Sequence, residues 1–347
     1  MKNLQSPLAL LLISCTGLGT LSCKVGYRSS YNFDYTGSTA QFSKRSEIAP
    51  EVLDIEITHR FGDVHVEQAA PGEAPAWSWE LTTWSEDDAR ARYYMDQVSL
   101  ETLQDASLLS FELFLPEAPG SDLKGIKSVL RLSVQPGTRI QLTNAHGDAH
   151  LNGLAGELVT DISHGDAHYG SLSGQVRLEH AHGLIAIDDL QAGSMDLRHS
   201  SLTGKGLHQR FEIDASHTSI DLSEVHGGLD LEASHSPSKF QGFQGALNFD
   251  GSHSKLHLSG DPSQIDLESS HGNLVLVCTG TNLNSLDADT KHSDFELFLP
   301  AGYDLQLNAK TDHGSAQNHL PSTPGGKPLR VRIDNSHGDF HLRPAGE

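Results

Sequence analysis

Histidine is the residue type whose spacing in this chain could do chemistry. Of 21 histidines, eleven recur at near-constant steps: His146, His164, His182, His199, His217, His235, His253, His271, His292, His313 and His337. The first eight are 18 residues apart, once 17, and the last gaps lengthen to 21, 21 and 24. Imidazole is the commonest metal ligand and titrates near neutrality, so such a series could hold divalent ions or take up protons. Three members carry a second histidine and an aspartate: His146-Gly147-Asp148-Ala149-His150, His164-Gly165-Asp166-Ala167-His168 and His337-Gly338-Asp339-Phe340-His341, with His65 and His257 at the same offset. The first two are consecutive. Asp148, His150, Asp166 and His168, with His146 and His164, therefore form the candidate metal set, suited to Zn²⁺ or another divalent transition metal; no cofactor is required by the sequence.

The plainer reading of the same eleven is structural, because a residue repeated at every unit records a repeated structural need. Each is followed by Gly, Ser or Thr. Small polar residues of this kind mark turns, where a side chain can bond to backbone. Six residues before the histidine stand Ile140, Leu158, Val176, Phe211, Leu229, Leu247, Ile265, Leu286, Leu307 and Val331, broken only by Gly193; four before it stand Leu142, Leu178, Met195, Ile213, Leu231, Phe249, Leu267 and Ile333. This period-2 alternation predicts a strand with one buried face. Apolar residues resume three and five positions after, as in Ile185 and Ile187 or Ile220 and Leu222, so the chain must turn at the histidine for both strands to face inward.

Strands and corners in 18 residues predict an all-β, single-stranded β-solenoid over 139–347, since one such coil buries its apolar face only when another stacks on it. Eleven coils at ~4.8 Å give roughly 50 Å. A meander or propeller, the main alternative, normally needs a longer unit. Neighbouring charged imidazoles at this spacing would repel by about 1 kcal/mol in water, so the column is expected to stay neutral and its pKa values to fall below ~6.5.

Residues 47–138 are less regular. Leu53 to Val66 reads as a strand pair with a first corner, Phe61-Gly62-Asp63, in which Phe takes the histidine position, and Ser85-Glu86-Asp87-Asp88 opens the one predicted helix, near 87–96. Phe111-Glu112-Leu113-Phe114-Leu115-Pro116 recurs letter for letter as Phe295-Glu296-Leu297-Phe298-Leu299-Pro300, which suggests a shared strand type.

Lys plus Arg number 24 against 45 Asp plus Glu, a formal net charge of -21, which argues against nucleic acid as a partner. Lys2 followed by apolar Leu8 to Ile13 reads as an export signal over 1–22, and 23–46, rich in Ser, Tyr, Gly and Thr, as a tether. The segment resembles a bacterial lipoprotein signal, which implies an acylated cysteine: Cys23, after Thr20-Leu21-Ser22, or Cys15, after Leu12-Ile13-Ser14. The resemblance implies an exported chain held to a membrane by an N-terminal lipid, facing periplasm or cell surface. With Cys23 acylated, Cys278 is left without an internal disulfide partner.

With its Phe61-Gly62-Asp63 corner, charged helix, Pro136-Gly137 turn and His146-Gly147-Asp148 corners onward, the sequence over 47–347 resembles a bacterial envelope family of β-strand repeats called putative adhesins, a domain of unknown function. Histidine here stands where such repeats more often carry Asn or Ser. The resemblance implies a non-enzymatic adhesin-like or scaffold module, with a surface protein or glycan as partner. A histidine-rich metal-binding envelope protein is the alternative, and a polysaccharide-active β-helix enzyme a third. Against the third, the constant period from 146 to 271 leaves no room for the long loops that carry such active sites, and no nucleophile elbow, phosphate loop or HExxH occurs.

Overall fold

The computed structural model describes residues 34–116 and 120–345. The signal over 1–22 and both candidate lipidation cysteines lie outside the described residues. The described chain is nearly all β, with one short helix, and its strands join in a single 25-stranded sheet.

The N-terminal part comprises β1 (Ser38–Glu47), β2 (Asp54–His59), β3 (Asp63–Gln68), β4 (Ala76–Ser85), helix α1 (Asp88–Met95), β5 (Ser99–Asp105), β6 (Leu108–Phe114) and β7 (Leu123–Val134). The repeats supply β8 (Arg139–Asn144), β9 (Ala149–Asn152), β10 (Leu158–Ile162), β11 (Ala167–Ala181), β12 (Leu184–Arg198), β13 (Ser201–Leu207), β14 (Phe211–Ser216), β15 (Ser219–Val225) and β16 (Leu229–Ser234). They continue through β17 (Ser238–Ser252), β18 (Leu256–Ser270), β19 (Asn273–Cys278), β20 (Ser285–Lys291), β21 (Asp294–Leu299), β22 (Tyr303–Asp312), β23 (Ala316–Asn318), β24 (Lys327–Ser336) and β25 (Phe340–Pro344).

From β8–β9 through β20–β21 each repeat pairs in parallel with the next. Leu158 lies beside Ile140 and Val176, and Leu229 beside Phe211 and Leu247. The strands before the corners form one parallel ladder and those after them a second, Ile185 beside Leu202 and Leu202 beside Ile220. The inward residues are buried: Leu142, Ile213, Leu231, Ile220 and Leu222 are each 2% exposed or less. Each such side chain contributes about 1.5–3 kcal/mol by leaving water. The one 17-residue gap is absorbed by a register shift between Leu172 and Gln175, where β11 meets β12. Gly193, the break in the apolar column, pairs with Phe211, whose fully buried ring occupies that level of the core.

At both ends the stacking departs from chain order. The β24–β25 repeat, last in sequence, lies between β20–β21 and β22–β23. The β2–β3 repeat, first in sequence, lies between β6–β7 and β8–β9. The N-terminal region expected over 47–138 and the repeats from 139 are thus joined by strand pairing. The identical hexapeptides fall in different ladders, Phe111 beside Ile57 before a corner and Phe295 beside Leu274 after one; they share only inward Phe and Leu.

Residues 38–46, assigned by composition to a tether, belong to β1, which runs antiparallel to β4 as β4 does to β7. Only Ala40 of β1 is buried, so main-chain pairing holds the strand and no apolar alternation announces it. Helix α1 forms where expected: the Asp87 carboxylate accepts the Arg90 N–H at 2.8 Å as N-cap, while Ala91 and Tyr94 face inward. Among the described residues no helix is long and apolar enough to cross a membrane.

Candidate functional site

The eleven corner histidines form one column along the stack. Successive ring centroids lie 4.7 to 5.1 Å apart, from His146 through His164, His182 and onward to His271 and His292. The column then passes to His337 before ending at His313, both steps 4.7 Å. From His182 on, each of these nine histidines has a positive φ between 51° and 61°. Histidine is among the few L residues enriched in this left-handed region. From His182 on, the corner backbone is thus one that histidine, like Asn and Asp, accepts more readily than most L residues. His217, for example, donates its N–H to the Ser234 carbonyl of the next repeat at 2.9 Å, while its ring faces solvent. At His146 and His164 the positive φ falls instead on Gly147 and Gly165, where a Cβ would lie 2.1 Å from the Gly62 and Gly147 carbonyl oxygens of adjacent repeats.

The residue after the histidine closes the corner in one of two ways. Where it is Ser or Thr, its buried hydroxyl accepts an N–H from the neighbouring repeat, Ser200 to Thr218 at 3.3 Å, Thr218 to Ser236 at 3.0 Å and Ser236 to Ser254 at 3.0 Å. The same hydroxyl donates to a carbonyl two residues back, as Ser236 does to Ser234 at 2.8 Å. Where the corner is Gly-Asp, the carboxylate takes the equivalent role: Asp63 accepts the Asp148 N–H at 3.2 Å, Asp148 the Asp166 N–H at 2.9 Å, and Asp166 the Leu184 N–H at 2.9 Å.

This geometry bears on the six residues singled out for metal. His146 faces His164 with planes 2° apart, and His150 meets His168 at 6.3 Å and 35°. Stacked rings send their in-plane nitrogen lone pairs in parallel directions, so they do not converge as tetrahedral Zn²⁺ coordination demands. One oxygen of each aspartate is committed to backbone. Among the described residues no group of three or more His, Cys, Asp or Glu is placed to hold one ion. His65, at the same offset, extends the second column, stacking on His150 at 4.7 Å. Burial lowers the pKa of His146, His164 and His65, with neighbouring imidazoles adding to the effect at the last two.

Two histidines off the columns are buried. His59 bonds the Gly62 carbonyl at 3.2 Å and the Ser128 hydroxyl at 3.0 Å, and burial brings its pKa down to about 4. His180 is 3% exposed with neither ring nitrogen in a well-formed hydrogen bond; burial also brings its pKa to about 4, opposed by the nearby Gly165 backbone. The lone described cysteine, Cys278, is buried, and its thiol is pushed up to about 12, which makes it inert.

Sequence reasoning passed over one column. Three residues before each corner stand Asp161, Glu179, Asp196, Asp214, Glu232, Asp250, Glu268, Asp289 and Asp334, paired in register from each repeat to the next, with Lys310 beside Asp334 at the end. All but the half-buried Asp196 are exposed. Aligning on the histidine would have found them, had the outward positions been read as closely as the apolar ones.

Fold and corners together define an all-β protein of stacked parallel repeats with polar ladders along its corners. No family model and no curated protein matches the chain. Among solved structures it is similar to a "putative adhesin" from Parabacteroides distasonis at 12% identity and TM-score 0.34, covering 88% of this chain and 98% of that one. It is similar also to a "putative cell adhesion protein" from Clostridium sporogenes at 6% identity and TM-score 0.25, covering 88% and 100%. A "putative lipid binding protein" from Parabacteroides distasonis matches at 10% identity and TM-score 0.33, covering 87% and 96%.

Proposed function

We propose that the chain is a non-enzymatic, exported β-solenoid, anchored to the envelope through an acylated Cys23 or Cys15, that acts as an adhesin-like or scaffold binding module. The observation that carries this reading is the commitment of its reactive side chains to architecture: the corner imidazoles stack on one another, and the Gly-Asp carboxylates each accept a main-chain N–H from the next repeat. A general base or nucleophile so tied is poorly placed to turn over a substrate. What repeats offer instead is long, regular outer faces for binding.

Two measurements test it. Producing cells labelled with a palmitate analogue should place the label on the envelope-bound chain, and Cys23→Ala combined with Cys15→Ala should abolish it. Beads coated with the purified chain should be retained on cell surfaces above beads coated with albumin; equal retention sinks the binding-module reading.

A second reading, a metal-binding envelope protein using His146, Asp148, His150, His164, Asp166 and His168, draws on the imidazole pairs one repeat apart and requires those rings to turn out of their stack before they can share an ion. Zn²⁺ titration of the tag-free chain separates the two. Stoichiometric uptake abolished by His150→Ala/His168→Ala supports metal; uptake indifferent to that pair removes it.

A further inference from the structure

Strand β1 pairs on one side only, with β4. The Ile48 N–H donates to the Pro75 carbonyl at 2.8 Å in the register of that pair, so the even-numbered residues of β1 are the ones that exchange main-chain hydrogen bonds with β4. The N–H and C=O groups of Thr39, Gln41, Ser43, Arg45 and Glu47 point the other way, and among the described residues no strand takes them. Every residue from Gln41 to Glu47 is exposed. The other edges offer less. β5 has seven residues and β23 three, against ten in β1, while the start of β22 is closed by the Ser322 hydroxyl on the Leu305 N–H at 3.1 Å and by the Thr323 N–H on the Tyr303 carbonyl.

β1 also overhangs the stack. Beyond the β2–β3 repeat the ladder before the corners adds two strands, β6 and β5, whereas the ladder after them adds three, β7, β4 and β1. The inward side chains of β1 are correspondingly open: Phe42 packs edge-on against Trp79 at 5.5 Å and still is 42% exposed.

A long unpaired strand is a template for another, and the residues of β1 suit a second β1. Antiparallel pairing of two copies must oppose odd-numbered residues to odd-numbered ones, and a pairing centred on Phe42 overlaps the strands from Ser38 to Ser46. Phe42 then meets its counterpart in a non-hydrogen-bonded pair, where side chains lie closest and aromatic pairs stabilise a sheet. Lys44 falls opposite Ala40, Arg45 opposite Thr39 and Glu47 opposite Gly37, so no like charges are opposed. An inward lysine on an edge ordinarily discourages pairing. Here the Lys44 ammonium rests over its own Trp77 ring, 5.2 Å from the centre, and faces no second charge. We propose that β1 is a homodimer interface, two copies joining antiparallel about a two-fold axis at Phe42 so that their outer ladders continue as one sheet. The pairing does not depend on what the repeats bind.

The test places Phe42→Cys in the full chain in producing cells and resolves the membranes without reductant. Opposed non-hydrogen-bonded residues stand about 4.5 Å apart at Cα, within disulfide reach. A linked product of twice the chain mass is expected, absent from the wild type and from Leu103→Cys, whose side chain is 67% exposed on β5. Sedimentation of the mature chain in density-matched detergent should give a dimer, its dissociation constant raised about tenfold or more by Phe42→Lys, which sets two ammonium groups together at the axis. Ser43→Pro must act likewise, because the Ser43 N–H points away from β4 and its loss removes no bond within the chain. Should Phe42→Lys unfold the protein, Ser43→Pro decides. A monomeric wild type, no linked product from Phe42→Cys, equal linkage of Leu103→Cys, a product of any other mass, or variants that dimerise like the wild type would each overturn the proposal.

Discussion

His337 stacks on His292 at 4.7 Å, although His313 lies between them in sequence. The final repeat has slipped inside the one that precedes it, and Asp339 follows suit by donating its N–H to the Asp294 carboxylate at 3.1 Å. Hydrogen exchange should therefore invert the usual order of fraying. Amides of Val331 and Ile333, nearer the C-terminus, should exchange more slowly than those of Leu305 and Leu307 in the outer strand β22. Faster exchange in β24 than in β22 would contradict the pairing.

Ser236 is fully buried and serves two repeats at once, accepting the Thr218 N–H and sharing its one hydrogen between the Ser234 and Ala215 carbonyls. Ser236→Ala strands a buried amide and should cost about 1–3 kcal/mol. Ser236→Thr keeps the hydroxyl, as Thr218 does one repeat away, and should cost less than half as much. Urea unfolding midpoints of the two variants check the comparison.

The corner conformation itself can be probed at His217, with φ of 54°. Asparagine tolerates that region, whereas a β-branched residue is a true outlier there. His217→Asn should stay within about 1 kcal/mol of wild type, and His217→Val should lose roughly 1–3 kcal/mol. If imidazole stacking rather than backbone geometry were dominant, the two would be equally harmful.

His59 and His180 give the pH dependence a definite sign. Each drops from 6.5 to about 4 in the folded chain, so above 6.5 both states are neutral and the contribution is full. Between 6.5 and 4 the unfolded chain takes up protons that the folded chain refuses, and stability falls with pH; below about 4 these two groups remove no more. The loss is on the order of 3 kcal/mol per site. His180 pairs with Ile162 on one side and Leu197 on the other. His180→Leu would complete an apolar column, and it should raise the thermal midpoint at pH 7.5 and shrink the drop on going to pH 5. An undiminished drop would assign the acid sensitivity elsewhere.

What could be read beforehand followed from burial. Leu142, Ile213 and Ile220 advertise their strands because only apolar side chains fit inward, and the corners at His182 or His217 show because few residues accept their φ. Pairing partners were another matter. Nothing in the spacing of His292, His313 and His337 says which repeat lies against which, since all three carry the same inward pattern. Strand β1 escaped because main-chain bonds to β4 hold Phe42 and Lys44 in place without burying either. The column from Asp161 to Asp334 escaped because an exposed position constrains charge and not shape, so Asp and Glu alternate there without a letter-for-letter motif.

That column has a consequence for the protein in solution. Its nine carboxylates, of which Asp196 is ion-paired with Arg198, recur about every 4.8 Å, while two unit charges in water interact with thermal energy out to about 7 Å. Closer than that, a line of charge behaves as a polyelectrolyte and gathers mobile cations along its length. The thermal midpoint should accordingly rise between 10 mM and 300 mM NaCl, opposite to the effect expected for a surface stabilised by ion pairs. Each added repeat would lengthen the line by one more carboxylate, so the cation sheath grows in step with the chain.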